Sequence, residues 1–289
     1  MQKQFLAIIT ACLVLTGCVK DTVELFMPEG TIGLAKGVTY KLAGECDKFC
    51  YRDWWPTATA SDVQAELDAG AAVMGREKFD SSFWGTTGGA TPLHYAAKRG
   101  TPSHIKMLVG AGAKINAKDV NNSTPLHYAS KVANIKALLS AGADHDARDD
   151  EGGNTPLHIV AVLGNPASIQ TLLTVGGLHT RNAFGQTPLN TVMSGGRNVP
   201  AKNMKVLVRA GADVNTIDGM CSMTPLHNAA EYGEPADVMF LLKAGANPNL
   251  KIKTPWVCGK MPTPIELASQ NKRLKGTKAF YALRDATYK

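Results

Sequence analysis

The sequence predicts an all-α solenoid of helix-turn-helix units, and three observations carry that prediction. Thr-Pro-Leu-His recurs at 91–94, 124–127, 155–158 and 224–227, with variants at 187–190 and 263–266, so the intervals are 33, 31, 32, 37 and 39 residues. A Gly-Ala pair, replaced once by Gly-Gly at 176–177, closes each unit. Before each pair stands an apolar triad with the i, i+3, i+4 spacing of one buried helix face, except before Gly70-Ala71, where Glu66 takes one of the three positions. A repeat of this length favours one stacked array over separate globular domains.

Each unit reads as a first helix, a tight turn, a second helix and a polar connection. Thr is a favoured N-cap and Pro is well tolerated at the first helical position, so the motif begins the first helix. Nine residues after the Thr, four units carry a glycine, which we expect to end that helix in the left-handed conformation: Gly100, Gly164, Gly196 and Gly233. The second helix carries the triad, which is Ile105, Leu108, Val109; Ile135, Leu138, Leu139; Ile169, Leu172, Leu173; Met204, Leu207, Val208; or Val238, Leu241, Leu242.

The repeated motif resembles the ankyrin repeat over roughly residues 50–289. Thr-Pro-Leu-His-x-Ala-Ala stands at 91–97, Leu-Leu-x-x-Gly-Ala at 138–143 and 241–246, and Gly-Ala-Asp-Val-Asn at 211–215. The resemblance implies an ankyrin-repeat solenoid with β-hairpin-like connecting loops and about six to seven repeats, terminal caps included. It also implies that the motif histidines hydrogen-bond between neighbouring units: His94, His127, His158 and His227.

The first eighteen residues, MQKQFLAIITACLVLTGC, have the features of an export signal, with one lysine before an apolar stretch and small residues at its end. Leu15-Thr16-Gly17-Cys18 resembles the bacterial lipobox, which implies cleavage before Cys18 and acylation of that cysteine, with palmitate as one such acyl group; an ordinary signal peptide cut nearby is the alternative. Val19, where Asp would favour the inner membrane, implies the outer membrane. We expect a signal peptide at 1–17, a lipid-anchored tether at 18–45 and a repeat domain at 46–289, facing the periplasm.

Composition narrows the function classes. The chain is 44% hydrophobic and 19% charged, which argues against wholesale disorder, and it has no apolar run of about 20 residues, as a polytopic membrane protein would. The net charge of +7 is mild, and export argues against nucleic acid as a partner. The sequence contains no serine elbow, phosphate loop, paired-carboxylate motif or HExxH, so we expect no enzymatic activity, cofactor or metal site.

Four cysteines remain after the lipobox, an even number that favours disulfides in an exported chain. Cys221 and Cys258 occupy adjacent connections, which are neighbours in a stacked solenoid, so we expect them to pair. Cys46 and Cys50 then pair locally. A metal or haem site is the alternative, but neither CxxC nor CxxCH spacing is present.

The resemblance implies that the solenoid binds another protein along its concave face. In the family the residue after each motif His points to that face, which here gives Tyr95, Tyr128, Ile159, Thr191 and Asn228. A positive rim of Lys98, Arg99 and Lys131 favours an acidic partner; an ordinary solvated helical face is the alternative. Phe83 and Trp84 lie in a long first connection, where they either contact the partner or cover the first unit.

These features predict a monomeric, lipid-anchored envelope protein that binds one protein partner and touches the membrane only through its anchor. Two other functions fit the same architecture. One is immunity against a toxin delivered into the periplasm, which sensitivity on deletion would reveal. The other is support of a periplasmic haem enzyme such as catalase, which a haem difference spectrum would reveal.

Overall fold

A computed structural model describes residues 48–50, 53–76, 88–194, 201–219, 223–250 and 262–288. These residues form a short 3-10 helix at Lys48–Cys50 and thirteen α-helices. The helices are α1 Ala60–Asp68, α2 Pro92–Arg99, α3 Pro102–Gly110, α4 Pro125–Tyr128, α5 Val132–Ser140, α6 Pro156–Leu163, α7 Pro166–Leu173, α8 Pro188–Ser194, α9 Ala201–Arg209, α10 Pro225–Tyr232, α11 Pro235–Lys243, α12 Pro264–Gln270 and α13 Lys278–Thr287.

The helices stack in two layers. The first helices of successive units, α2, α4, α6, α8, α10 and α12, contact one another in that order. In the second layer, α1, α3, α5, α7 and α9 contact in order, and α11 contacts α13. Six helix pairs preceded by α1 confirm the predicted solenoid of six to seven repeats.

The motif begins each first helix as predicted. Thr91 has extended backbone angles of φ −91° and ψ 165°, and Pro92 is the first helical residue. The same N-cap and proline recur at Thr124, Thr155 and Thr224. Proline loses nothing there because the first N–H groups of a helix have no partner within the helix.

The core lies between the two layers and is built from the predicted positions. The leucine of each Thr-Pro-Leu motif and the first two residues of each triad are no more than 2% exposed, while the third triad residue is half-buried. At the N-terminal end, Trp55 stacks on Phe49 with ring centroids 5.6 Å apart and donates its indole N–H to the Phe49 carbonyl at 2.8 Å.

The inter-helix glycines differ from the prediction that they take the left-handed conformation. Gly100, Gly164 and Gly233 are all extended, with φ between −75° and −86°. Their role is steric, because a Cβ at Gly100 would lie 2.8 Å from the Ala96 carbonyl oxygen and 3.0 Å from its Cα. Gly196 lies outside the described residues.

The left-handed positions are instead the glycines of the Gly-Ala pairs. Gly112 has φ +93°, and its equivalents range from +80° to +118°. This conformation turns the chain so that Ala113 N donates to the Leu108 carbonyl at 2.9 Å and satisfies the end of α3.

Several predicted features fall outside the described residues. These are the signal and lipobox with Cys18, the cysteines Cys46, Cys221 and Cys258, and the loop aromatics Phe83 and Trp84. Cys50 is disulfide-bonded, but its partner is outside the described residues, so the pairing with Cys46 stays a prediction. Of the helices described, none has the length and apolar character needed to cross a membrane.

Candidate protein-binding face

The motif histidines connect neighbouring units. His94 Nδ1 accepts the Thr91 backbone N–H at 3.0 Å, so its proton is on Nε2, which donates to the Ser123 carbonyl at 3.0 Å in the next connection. His127 and His158 repeat this arrangement with the carbonyls of Asn154 and Gln186, each at 3.0 Å. The predicted bond between units is confirmed for these three histidines.

Burial keeps these histidines neutral. Desolvation lowers the pKa of His94 to about 4 and also lowers the pKa of His127 and of His158, although the carbonyl that each ring contacts acts in the opposite direction. A neutral ring offers one donor and one acceptor, and both are used here. These histidines therefore hold the stack together.

The fourth and fifth motifs vary this contact. Asn190 replaces the histidine, accepts the Thr187 backbone N–H and donates through Nδ2 to the Thr216 carbonyl at 3.1 Å. His227 is fully buried, yet its Nε2 has no hydrogen-bond partner among the residues that the structure describes. Desolvation alone lowers the pKa of His227 to about 4.

A second set of contacts, which the sequence analysis missed, joins the units from the other layer. Asn134 on α5 is 1% exposed, and its Nδ2 donates to the carbonyls of Ala97 at 3.0 Å and Gly100 at 3.1 Å at the end of α2. Asn203 reaches back in the same way to Ala161 and Gly164. The signal was a polar residue directly before the apolar triad.

The connecting loops are also joined to one another. Arg148 Nη1 donates to the Gly153 carbonyl at 3.0 Å in its own loop and to the Arg181 carbonyl at 2.8 Å in the next. Arg181 repeats the contact with the Ile217 carbonyl at 2.8 Å. Backbone bonds between loop tips, such as Ala183 N to the Gly152 carbonyl at 2.8 Å, complete this edge.

On this scaffold, Tyr128 is the best-defined member of the predicted binding face. It is half-buried, and its hydroxyl donates to Asp119 Oδ2 at 2.6 Å. Its ring meets His94 edge to face at 5.1 Å, and Lys98 Nζ lies 5.4 Å from the ring centroid. The tyrosine is therefore held in one orientation between two units.

Comparison with known proteins decides the family. A family model described as ankyrin repeats (3 copies) matches residues 78–149, 93–181 and 157–252, which together span more than half of the chain. The chain belongs to the ankyrin-repeat family. The ankyrin domain of Bcl-3, described as a unique member of the IκB protein family, superimposes with a TM-score of 0.56 at 25% identity, covering 78% of this chain and 91% of that domain.

Two relatives show the extent of the similarity in sequence. Ankyrin repeat protein nuc-2 of Neurospora crassa is 33% identical over 166 residues, which is 56% of this chain and 15% of the relative. Human ankyrin repeat and SOCS box protein 16 is 32% identical over 183 residues, which is 59% of this chain and 40% of the relative. The chain thus spans less than half the length of either relative.

Within this ankyrin domain the five predicted face residues are not equally accessible. Ile159 and Thr191 are half-buried like Tyr128, and the three occupy equivalent positions on first helices that contact in succession. Tyr95 and Asn228 are only 8% and 5% exposed, which contradicts the expectation that they point outward. A partner therefore has little of either side chain to contact.

The predicted positive rim is also partly engaged. Lys131 Nζ donates to the carbonyls of Arg99 at 3.0 Å and Gly100 at 3.3 Å, so its charge meets the C-terminal end of α2. Arg99 is half-buried, and Lys98 is exposed beside Tyr128. Within the described residues, no three His, Cys, Asp or Glu side chains are grouped to hold a metal ion.

Proposed function

We propose that this protein is a lipid-anchored component of a bacterial envelope that binds another protein through the face defined by Tyr128, Ile159 and Thr191. One observation carries the binding proposal: three half-buried side chains at equivalent positions lie in a row, on first helices that contact in succession. Membership in the ankyrin-repeat family, whose typical role is protein–protein interaction, supports it.

The anchor and the location come from the N-terminal sequence. Leu15-Thr16-Gly17-Cys18 follows an apolar stretch of export-signal length, and a cysteine there is the acceptor of the acyl chains. Val19 favours the outer membrane, with the repeats in the periplasm. The anchor would leave the repeat domain free to meet a partner in that compartment.

The chemistry of the face favours a partner with acidic and aliphatic groups. Lys98 supplies an exposed positive charge, while the half-buried Tyr128 ring and Ile159 would supply apolar contact. Tyrosine is common among residues that dominate binding energy, and a ring already fixed by its Asp119 contact loses little entropy when a partner binds.

The binding proposal is tested by capture with a matched pair of variants. The full chain with Cys18→Ser, which cannot be acylated, is immobilised and exposed to a detergent-solubilised envelope, and bound proteins are identified by mass spectrometry. We expect one stoichiometric partner that Ile159→Asp loses and Ala210→Asp, an exposed change directly after α9, retains. Equal capture by both variants would remove the assigned face.

The anchor is tested separately by the mass of Cys18 in the protein extracted from cells. We expect an N-terminal peptide that begins at Cys18 and carries acyl chains, and a Cys18→Ser chain that carries none. An unmodified Cys18 thiol in the mature protein would refute the anchor and leave the binding face untouched.

A further inference from the structure

The second helices present one outward stripe of side chains that neither packs in the core nor joins the binding face. These are the positions two before, one after and five after the first residue of each triad. On α3 to α11 they are Ser103, Lys106, Gly110; Ala133, Lys136, Ser140; Ala167, Gln170, Thr174; Lys202, Lys205, Arg209; and Ala236, Met239, Lys243. We call this set the second-helix face. All of its members are exposed except half-buried Lys205.

The second-helix face carries charge of one sign. Its fifteen positions include five lysines and one arginine, and none is acidic. Exposed carboxylates lie instead on the connecting loops, for example Asp144, Asp150 and Glu151, and at the stripe's two ends, where Asp68 on α1 and Asp285 on α13 occupy it. The connecting loops carry exposed charges of both signs, for example Lys118 and Arg148 beside the carboxylates, so a single sign of charge distinguishes the second-helix face from α3 to α11.

The spacing of these cations suits an extended surface rather than a small ligand. Packed helices lie about 10 Å apart. Lys106 and Lys136, on adjacent second helices, are therefore separated by about one such spacing, and Lys136 and Lys202 by about two. Binding a single small anion requires donors that converge on one point. Fluid headgroups can instead move laterally to meet charges that are far apart.

The composition of the face also argues against a protein partner there. Tight protein interfaces are built around aromatic or arginine anchors in pockets, and Met239 is the one large apolar residue exposed on the stripe from α3 to α11. Lysine, the main charged residue here, is a flexible point charge that attracts anionic membranes without fixed geometry.

We propose that the second-helix face lies against a membrane that contains anionic phospholipid, leaving the first-helix side free for the protein partner. This inference rests on the proposed lipid anchor, which keeps the domain close to a bilayer. The two surfaces belong to different helix layers, so the domain can contact lipid and partner at the same time.

The test measures partition of the mature chain, residues 18–289 with Cys18→Ser and without the apolar signal, onto sedimented vesicles of phosphatidylcholine with or without phosphatidylglycerol. We expect binding only with phosphatidylglycerol and weaker binding as NaCl rises, because salt screens exposed charges. Each lysine near an anionic surface contributes about fivefold to partition. The triple change Lys106→Gln, Lys136→Gln, Lys202→Gln should therefore lower partition by at least about tenfold.

The matched control removes the same number of charges elsewhere, through Lys114→Gln, Lys118→Gln and Lys272→Gln, all exposed. It should retain most of the binding. Equal loss in both triple variants, or equal binding to neutral vesicles, would overturn the proposed face, as would capture of soluble polyglutamate without vesicle binding. Because Cys18→Ser cannot be acylated, none of these results depends on whether the natural chain is anchored.

Discussion

Replacing three glycines of one unit with alanine distinguishes two reasons why a position requires glycine. One is that there is no space for a Cβ atom, and the other is a left-handed backbone conformation. At Gly100 the backbone suits any residue, but an added Cβ would lie 2.8 Å from the Ala96 carbonyl oxygen and 3.1 Å from His104 Nδ1. At Gly112 the space is open, with nothing within 4 Å, but φ is +93°. At Gly110, the last residue of α3, there is neither a close neighbour nor a positive φ.

The three expected changes in unfolding free energy differ in sign and size. Overpacking a rigid backbone contact costs about 1–3 kcal/mol, and a smaller unfolded-state entropy returns about 0.4–1 kcal/mol, so Gly100→Ala should lose about 1–2 kcal/mol. Gly112→Ala incurs a left-handed penalty of about 1–2 kcal/mol against the same gain, for a net loss near 1 kcal/mol. Gly110→Ala should gain about 0.4–1 kcal/mol.

Urea unfolding followed by circular dichroism measures these differences, with the midpoint and slope fitted for each variant. If the dependence of the unfolding free energy on urea is the same for all three variants, they unfold through the same cooperative transition. This check is needed because a repeat protein can also unfold in parts. If Gly100→Ala were as stable as Gly110→Ala, the close approach of Gly100 to Ala96 would not be what requires glycine. If Gly112→Ala matched Gly110→Ala, the left-handed turn would not constrain the sequence.

Three further predictions concern the contacts between units. Since folding lowers the pKa of His94 from 6.5 to about 4, the unfolded chain takes up its proton first as the pH falls, and stability should decline between those two values. His94→Asn should reduce the slope of unfolding free energy against pH by up to about 1.4 kcal/mol per pH unit there; an unchanged slope would contradict the assignment. Asn134→Ala leaves the buried Ala97 carbonyl without this donor, while the Gly100 carbonyl keeps Lys131, and should cost about 1–3 kcal/mol in urea unfolding, whereas no change would mean that water replaces the amide. Tyr128→Phe removes the hydroxyl bond to Asp119 and should cost about 1 kcal/mol. The same variant should weaken capture of the partner, and undiminished capture would exclude the tyrosine from the binding face.

The elements that repeat in the sequence were the predictable ones. A Thr-Pro pair favours the start of a helix, and an i, i+3, i+4 triad marks the face that the helix buries. The helix starts and the buried positions Leu108 and Leu138 could therefore be predicted from the local sequence. The His94 contact to Ser123 followed from the family resemblance, because nothing in the local sequence identifies a carbonyl 29 residues away.

The parts that could not be predicted depend on distances between units. Whether the glycine after a first helix is needed for its φ or for its missing Cβ is decided by how closely Gly100 approaches Ala96. Whether Tyr95 is exposed depends on how the neighbouring elements cover it, and its burial removed it from the predicted binding face while leaving Tyr128. The outward charge of the second helices was visible in the sequence, but only the stacking of α3 to α9 brings it onto one side.

The contacts between units vary along the solenoid, and they differ most clearly near the predicted disulfide between Cys221 and Cys258. His227 and Asp237 stand where other units have a bonded His94 and a donating Asn134, yet His227 Nε2 and Asp237 Oδ1 bond to no described residue. The same repeat is joined to the next one through Asn271, whose Nδ2 donates to the carbonyls of Ala230 at 3.2 Å and Gly233 at 3.1 Å. A bridge between Cys221 and Cys258, closing about 37 residues, would contribute about 3–4 kcal/mol at that place. The predicted cysteine pair lies in the connections before and after this repeat, so a covalent link there would hold the last units against fraying from the end of the stack.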